Sequence, residues 1–247
     1  MVLESIVSVR TAERKPWEML PIGFTYVGVA SLLSLWLFPA QASVASVLFV
    51  VVAGLPLMLG IFQLEEFKSK TRVSAHEHLW PFFIFLFLGM VGGYVALHLL
   101  LPAAQTQQLF FAQQNAIEHA TGNAISTNFD FQAILMNNLK VLIVATILSI
   151  LYGAGAIFIL AWNASVISTA IGTFVRNNIS EYASTVGLSS VAGYFKVFSI
   201  GFLKYSIHGI PEILGYFIGG LAGGIISIAV VKHDFGTKIF NRIIYDT

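Results

Sequence analysis

The sequence predicts an all-α polytopic integral membrane protein, with six transmembrane helices plus a short re-entrant or broken helical segment. Three observations carry that prediction. The 247 residues are 57% hydrophobic and only 10% charged, with a mean hydropathy of +0.81, whereas a soluble domain carries about 25% charged residues. The apolar residues gather in stretches near the roughly 20 residues that cross a bilayer. Most Lys and Arg fall between alternate stretches, the asymmetry that orients spans in a cell membrane.

Composition also excludes classes of function. A net charge of +1 leaves no electrostatic footprint for nucleic acid. The absence of cysteine removes thiol catalysis, disulfides and cysteine-held metals. Residues 1–17 have mixed charge and a loose apolar stripe. They read either as a helix on the membrane surface or as a frayed end. They lack the basic, apolar and small-residue progression of a signal peptide, so the first span is expected to remain as an anchor.

The elements follow in order. Trp17 sits where an interfacial aromatic anchors a helix. The first span is predicted over residues 18–38 and the second over 44–62, joined by an uncharged turn through Pro39. Gly54 and Pro56 predict a kink in the second. Residues 63–80 form the first strongly polar loop, with Lys68, Lys70 and Arg72. The third span is predicted over 81–101, with Phe82, Phe83, Phe85 and Phe87 lipid-facing or packing. His98, near its far end, reads as a satisfied interfacial histidine. Residues 102–137 contain no Lys or Arg. Within them, 105–120 predicts a helix along the surface, with a weak stripe of Leu109, Phe110, Ala112, Ala116 and Ile117. Gly122-Asn123 stops it. It is either a docking surface for a partner or a solvated helix packed on the spans. This divides the chain into an N-terminal membrane part, 1–101, an extracytoplasmic polar segment, 102–137, and a membrane core, 138–247.

In that core a fourth span is predicted over 139–161, closed by Trp162-Asn163. Residues 164–175 are then only about twelve mostly apolar residues, or roughly 18 Å of helix, against a hydrocarbon core of roughly 30 Å. They are expected to re-enter rather than cross. A fifth span over 185–206 carries Lys196 and Lys204. Lys196 either lies deep enough to need a partner or snorkels to the interface. In the last span, 207–231, His208, Glu212, Gly215, Gly219 and Gly223 share one helix face, flanked by Gly220 and Gly224. Such a face suits close helix packing, within the monomer or across a homodimer.

Charge sets the expected topology. With six spans both termini are cytoplasmic, and 10 of the 13 Lys and Arg, Arg176 among them, fall on that side. If 164–175 crossed, Arg176 and the basic tail would lie outside.

Two groups are candidates for a polar core. His208 and Glu212 either gate a polar cavity or relay a proton, or they hydrogen-bond irregular backbone, such as the carbonyl that Pro211 leaves without a donor. Asn137, Asn138, Asn163, Asn177 and Asn178 sit at segment ends, where asparagine caps free amides; polar lining of a substrate path is the competing reading. His76-Glu77-His78 is a solvated loop rather than a metal site, because two histidines two residues apart diverge on a helix. No nucleophile elbow, metalloprotease or phosphate-loop motif occurs.

The second half has a pattern. Asn137-Asn138 precedes a span, Gly153-Ala154-Gly155 lies within it, and Asn163-Ala164 opens a short glycine-bearing segment. His208-Gly209-Ile210-Pro211-Glu212 then leads a glycine-rich span. Over roughly residues 129–231 this resembles the stage II sporulation protein M family; the helical hairpin of the first half has no counterpart in that resemblance. In sporulating bacteria the resemblance implies a membrane scaffold that organises cell-wall hydrolases during engulfment. The expectation is therefore a non-enzymatic scaffold without cofactor or metal. It would contact membrane lipids and other membrane or membrane-associated proteins. The alternative is a transporter or channel subunit for a small solute or ion, with a broken-helix site around His208 and Glu212. A lipid-handling or intramembrane enzyme, resting on the same two residues, is the weakest of the three.

Overall fold

The computed structural model describes residues 14–69, 79–124 and 155–182, with the single positions 139, 143, 193, 196 and 199. Among these residues every regular element is helical. Helix α1 spans Met19–Leu37, entered through a 3-10 turn, Pro16–Glu18, with proline at its head. Proline suits that place because the amide it lacks would have no partner there. The helix stops at Phe38, whose φ of −135° and ψ of 56° leave the helical region. Pro39 causes the stop, since a residue before proline is pushed out of the α region. A second 3-10 turn, Pro39–Gln41, leads into α2, Ala42–Ser69.

Helix α2 has 28 residues, or about 42 Å. It outruns both a bilayer core and the predicted 44–62. The added turns carry Glu65, Glu66 and Lys68, so the helix continues into the segment predicted to be a polar loop. Helix α3 spans Leu79–Leu100, and α4 spans Ala103–Ala124 beyond the corner at Pro102. Helix α5 runs Gly155–Tyr182. Four stretches among the described residues are long and apolar enough to cross a membrane: Pro16–Leu37, Pro39–Gln63, Leu79–Leu100 and Gly155–Asn178. The predicted spans at 185–206 and 207–231 lie outside the described residues, single positions apart.

The tightest pair is α1 with α3, and they pack in parallel. Gly23 of α1 lies against the Leu86 carbonyl, Gly89 of α3 against the Leu20 carbonyl, and Gly93 against Phe24 and Val27. Backbones approach this closely only where side chains are missing, which is how helices associate when lipid offers no hydrophobic gain. Around this crossing the core is aromatic and aliphatic. Phe82, Phe83, Leu86, Met90 and Tyr94 of α3 are buried, as are Met58, Ile61 and Phe62 of α2. Phe82 and Phe83 meet edge to face, with centroids 4.9 Å apart and rings at 81°. The outer surface of α1 is apolar too, ending in Trp36 at 77% exposure; lipid is the natural solvent for such a face.

Two expectations are overturned. Residues 164–175 are not a short re-entrant segment. They are the middle of α5, continuous from Gly155 to Tyr182. Asn163 does not open a helix either, since its amide donates to the Ile159 carbonyl within α5 at 2.9 Å. The polar residues that lower local hydropathy are each satisfied by backbone or a neighbouring helix, so they interrupt the apolar run without interrupting the helix. The second correction concerns Arg176, expected on the side opposite residues 102–137. Its guanidinium donates to the Leu101 carbonyl at 2.6 Å and to Thr106 Oγ1 at 3.3 Å. The C-terminal end of α5 therefore lies at the same end of the bundle as the α3–α4 corner. Helix α5 runs parallel to α3, so Gly155 lies at the opposite end of the bundle from Pro102.

Candidate functional site

The face of α5 that meets α3 and α4 is built from small and hydroxyl residues. Ala161, Ala164, Ser165, Ser168, Thr169 and Ile171 are buried along it, at the three- and four-residue spacing of one helix face. Ser165 Oγ donates to the Trp162 carbonyl at 2.7 Å and Thr169 Oγ1 to the Ser165 carbonyl at 2.7 Å. These bonds fold the hydroxyls back onto the helix. Ser168 reaches across instead, donating to the Val91 carbonyl of α3 at 3.1 Å.

Two polar nodes join the helices along this seam. The first centres on Gln113 of α4, fully buried. Its Nε2 donates to the Ser43 carbonyl at the head of α2 at 3.3 Å and to Ser165 Oγ at 3.1 Å. One amide thus ties α2, α4 and α5. Helix α4 reaches this position because its buried residues, Thr106, Leu109, Phe110 and Gln113, form a stripe at helical spacing. Its other face stays exposed through Gln105, Gln107, Gln108, Phe111 and Gln114.

The second node is the α3–α4 corner. Thr106 Oγ1 donates to the Leu101 and Pro102 carbonyls at 3.2 and 3.1 Å. Arg176 joins the Leu101 carbonyl from α5, where a cation complements the partial negative charge at a helix C-terminus. One turn below, His98 is buried rather than interfacial. Its ring packs on the Phe110 ring, with centroids 4.8 Å apart, and against the backbone of Gly172. Its Nε2 lies 3.4 Å from Thr173 Oγ1. Its Nδ1 has no hydrogen-bond partner, nor do the Tyr94 hydroxyl and Gln113 Oε1. Tyr94 also meets Phe110, at 6.0 Å between centroids, so Tyr94 and His98 share one aromatic neighbour.

Most of the polar groups singled out in the sequence lie outside the described residues: His208, Glu212, Asn137, Asn138 and the glycines Gly215, Gly219, Gly220, Gly223 and Gly224. Of the rest, Asn163 is engaged within its own helix, and Asn178 likewise donates to the Phe174 carbonyl at 2.8 Å. Lys196 occupies an exposed helical position. Gln113, Arg176 and His98 carry the nodes without any motif marking them. The glycine crossing did carry a signal, the four-residue spacing of Gly89 and Gly93 inside an apolar stretch. Among the described residues no group of three or more His, Cys, Asp or Glu is placed to hold a metal ion.

The family model for stage II sporulation protein M matches residues 82–245. No curated protein and no solved structure matches the chain. The match is wider than the 129–231 over which the motifs carry the resemblance. It takes in all but the first turn of α3, the whole of α4 and α5, and the seam between them, and it leaves α1 and α2 outside. The seam is therefore part of the family's own region, and the chain belongs to the stage II sporulation protein M family.

Proposed function

We propose that this protein is a non-enzymatic membrane scaffold that holds partner proteins in or against the bilayer. The observation that supports it is the use of the polar side chains in the described core. Gln113, Ser168, Thr106 and Arg176 each bond a neighbouring helix or corner. They act as fasteners of a packed bundle. The exposed glutamine-rich face of α4, with no Lys or Arg between residues 102 and 137 and one exposed carboxylate at Glu118, is a polar surface available to a partner.

The test is partner capture from native membranes at native expression, with photo-crosslinking residues placed at Gln107 and Gln114. A scaffold gives a stoichiometric partner that crosslinks at both positions and is lost when α4 is undocked. A chain that purifies alone and crosslinks to nothing at either position overturns the proposal.

A second reading, a transporter or channel subunit, draws on the buried, unpartnered Tyr94 hydroxyl, His98 Nδ1 and Gln113 Oε1. Buried polar groups without partners are costly in a membrane and often mark a path. Flux into liposomes that Tyr94→Phe abolishes would favour this reading. Absence of flux for the ions and small solutes tried would remove it for those solutes.

A further inference from the structure

Between the first turns of α2 and the exposed side of α4 lies an open groove of about 800 Å³, within the roughly 300–1,000 Å³ of small-molecule sites. Its walls are Phe38, Val44, Leu48 and Phe49 on one side and Phe111 and Ala112 on the other. Gln41, at the turn, and Asn115, on α4, are amides on its lining. No charged residue lines it, and none occurs anywhere from residue 19 to 63.

We propose that this groove holds one acyl chain of a bilayer phospholipid. Three features select that occupant. The groove opens onto the membrane-facing side of α2, where Val44, Leu48 and Val52 are exposed at four-residue spacing. It is thus continuous with the lipid-facing surface of a helix apolar enough to span the bilayer. Its lining sets the bulky Phe38, Leu48, Phe49 and Phe111 among the small Ala40, Ser43, Ala45 and Ala112, with no glycine at which two backbones could meet. Helix–helix contacts in membranes use small residues that let backbones meet, as Gly23 and Gly89 do in this bundle. A gap between phenylalanine and leucine side chains admits a slender hydrocarbon chain more readily than a second helix. Finally, the amides of Gln41 and Asn115 provide neutral hydrogen-bonding groups for an ester carbonyl, and the lack of charge argues against a headgroup site. The inference is independent of the scaffold reading; failure of partner capture leaves it standing, and the reverse holds too.

The experiment uses the full chain reconstituted in phosphatidylethanolamine and phosphatidylglycerol vesicles, extracted in mild detergent, with bound phospholipid counted by native mass spectrometry. The chain is expected to retain one phospholipid. Leu48→Trp and Ala112→Phe fill the groove and are expected to lower retention about ten-fold, the decade that a few lost packing contacts remove from a binding constant. Val52→Trp, on the same helix but outside the groove, is expected to leave it unchanged. Loss of lipid in all three variants, equal retention in all three, or no retained lipid in the unaltered chain would each overturn the proposal. Should the groove-filling variants unfold, Phe111→Trp supplies a second readout. Its added fluorescence should be quenched by brominated acyl chains carried through extraction. An unquenched signal, or a second copy of the chain at this face in place of lipid, also overturns it.

Discussion

Gly89 has no side chain, and the Leu20 carbonyl stands where one would be. Adding a methyl group there forces α1 and α3 apart. Gly89→Ala should lower stability by about 1–3 kcal/mol, the usual cost of overpacking, read as a fall in the thermal midpoint of the detergent-solubilised protein. Gly28 is the control, because nothing lies within 4 Å of the position its Cβ would take. Gly28→Ala should be neutral or stabilising by up to roughly 1 kcal/mol, since alanine is the better helix former. Gln113 gives a different test. Its two acceptors have other bonds, the Ser43 carbonyl from Ser46 Oγ at 3.2 Å, while Ser165 Oγ itself donates to Trp162. Gln113→Met keeps the volume and strands no partner, so it should cost only about 0.6 kcal/mol, the mean for an interhelical membrane hydrogen bond. Gln113→Ala adds a cavity and should cost about 2 kcal/mol or more. Equal losses in the two variants would mean that the bonds, rather than the packing, hold this node. Residues of this kind were unequally legible in the sequence. The Gly89 and Gly93 spacing is visible, although the longer glycine run at 215–224 attracts more notice. Nothing local distinguishes Gln113 from the exposed glutamines around it, because its partners lie 52 and 70 positions away.

Elements with strong punctuation are the ones a sequence reading places well. The predicted first and third spans fall within two residues of α1 and α3, bounded by Pro39 and by the Leu101-Pro102 corner. Helix α4 was visible as a weak stripe because Leu109 and Phe110 stand out among glutamines. The sequence cuts α5 short because Trp162-Asn163 and Arg176-Asn177-Asn178 look like segment ends, whereas the helix runs through both and Asn163, Ser165 and Thr169 bond to its own backbone. Each polar group there costs little once bonded to its own backbone or to a neighbour, and hydropathy counting has no term for that. The same chemistry yields a prediction for α4, whose first turns are pinned by Arg176. Arg176→Ala removes the bonds to the Leu101 carbonyl and Thr106 Oγ1. A charged hydrogen bond contributes about 1.5–3 kcal/mol, so amide exchange in the first turns of α4 should speed up roughly ten- to hundred-fold, while α1 remains protected. Arg176→Lys restores the charge without the planar fork and should recover only part of the protection. Unchanged exchange in Arg176→Ala would show that packing of Leu109 and Phe110 alone docks the helix.

At the scale of the whole molecule, the placement of Arg176 decides which argument about topology survives. Counting basic residues favours putting it with the other cations, opposite residues 102–137. The geometry puts it beside Leu101 and Thr106. A single arginine can stand apart from that count for a physical reason. The count describes charges that remain in water beside the membrane, and this guanidinium is partly buried, complementing a helix C-terminus instead. A charge held inside the fold carries little information about the side on which a loop resides. The chain contains no cysteine, so single cysteines can be introduced on a silent background. Gln107→Cys on α4 and Asn178→Cys near the end of α5 should react with an impermeant maleimide added to the same side of sealed vesicles. Arg14→Cys, at the head of α1, should react only from the other side, because α1, α3 and α5 run parallel. Labelling of positions 107 and 178 from opposite sides would restore the six-span arrangement with a re-entrant 164–175, and would require α5 to break where the structure shows it continuous.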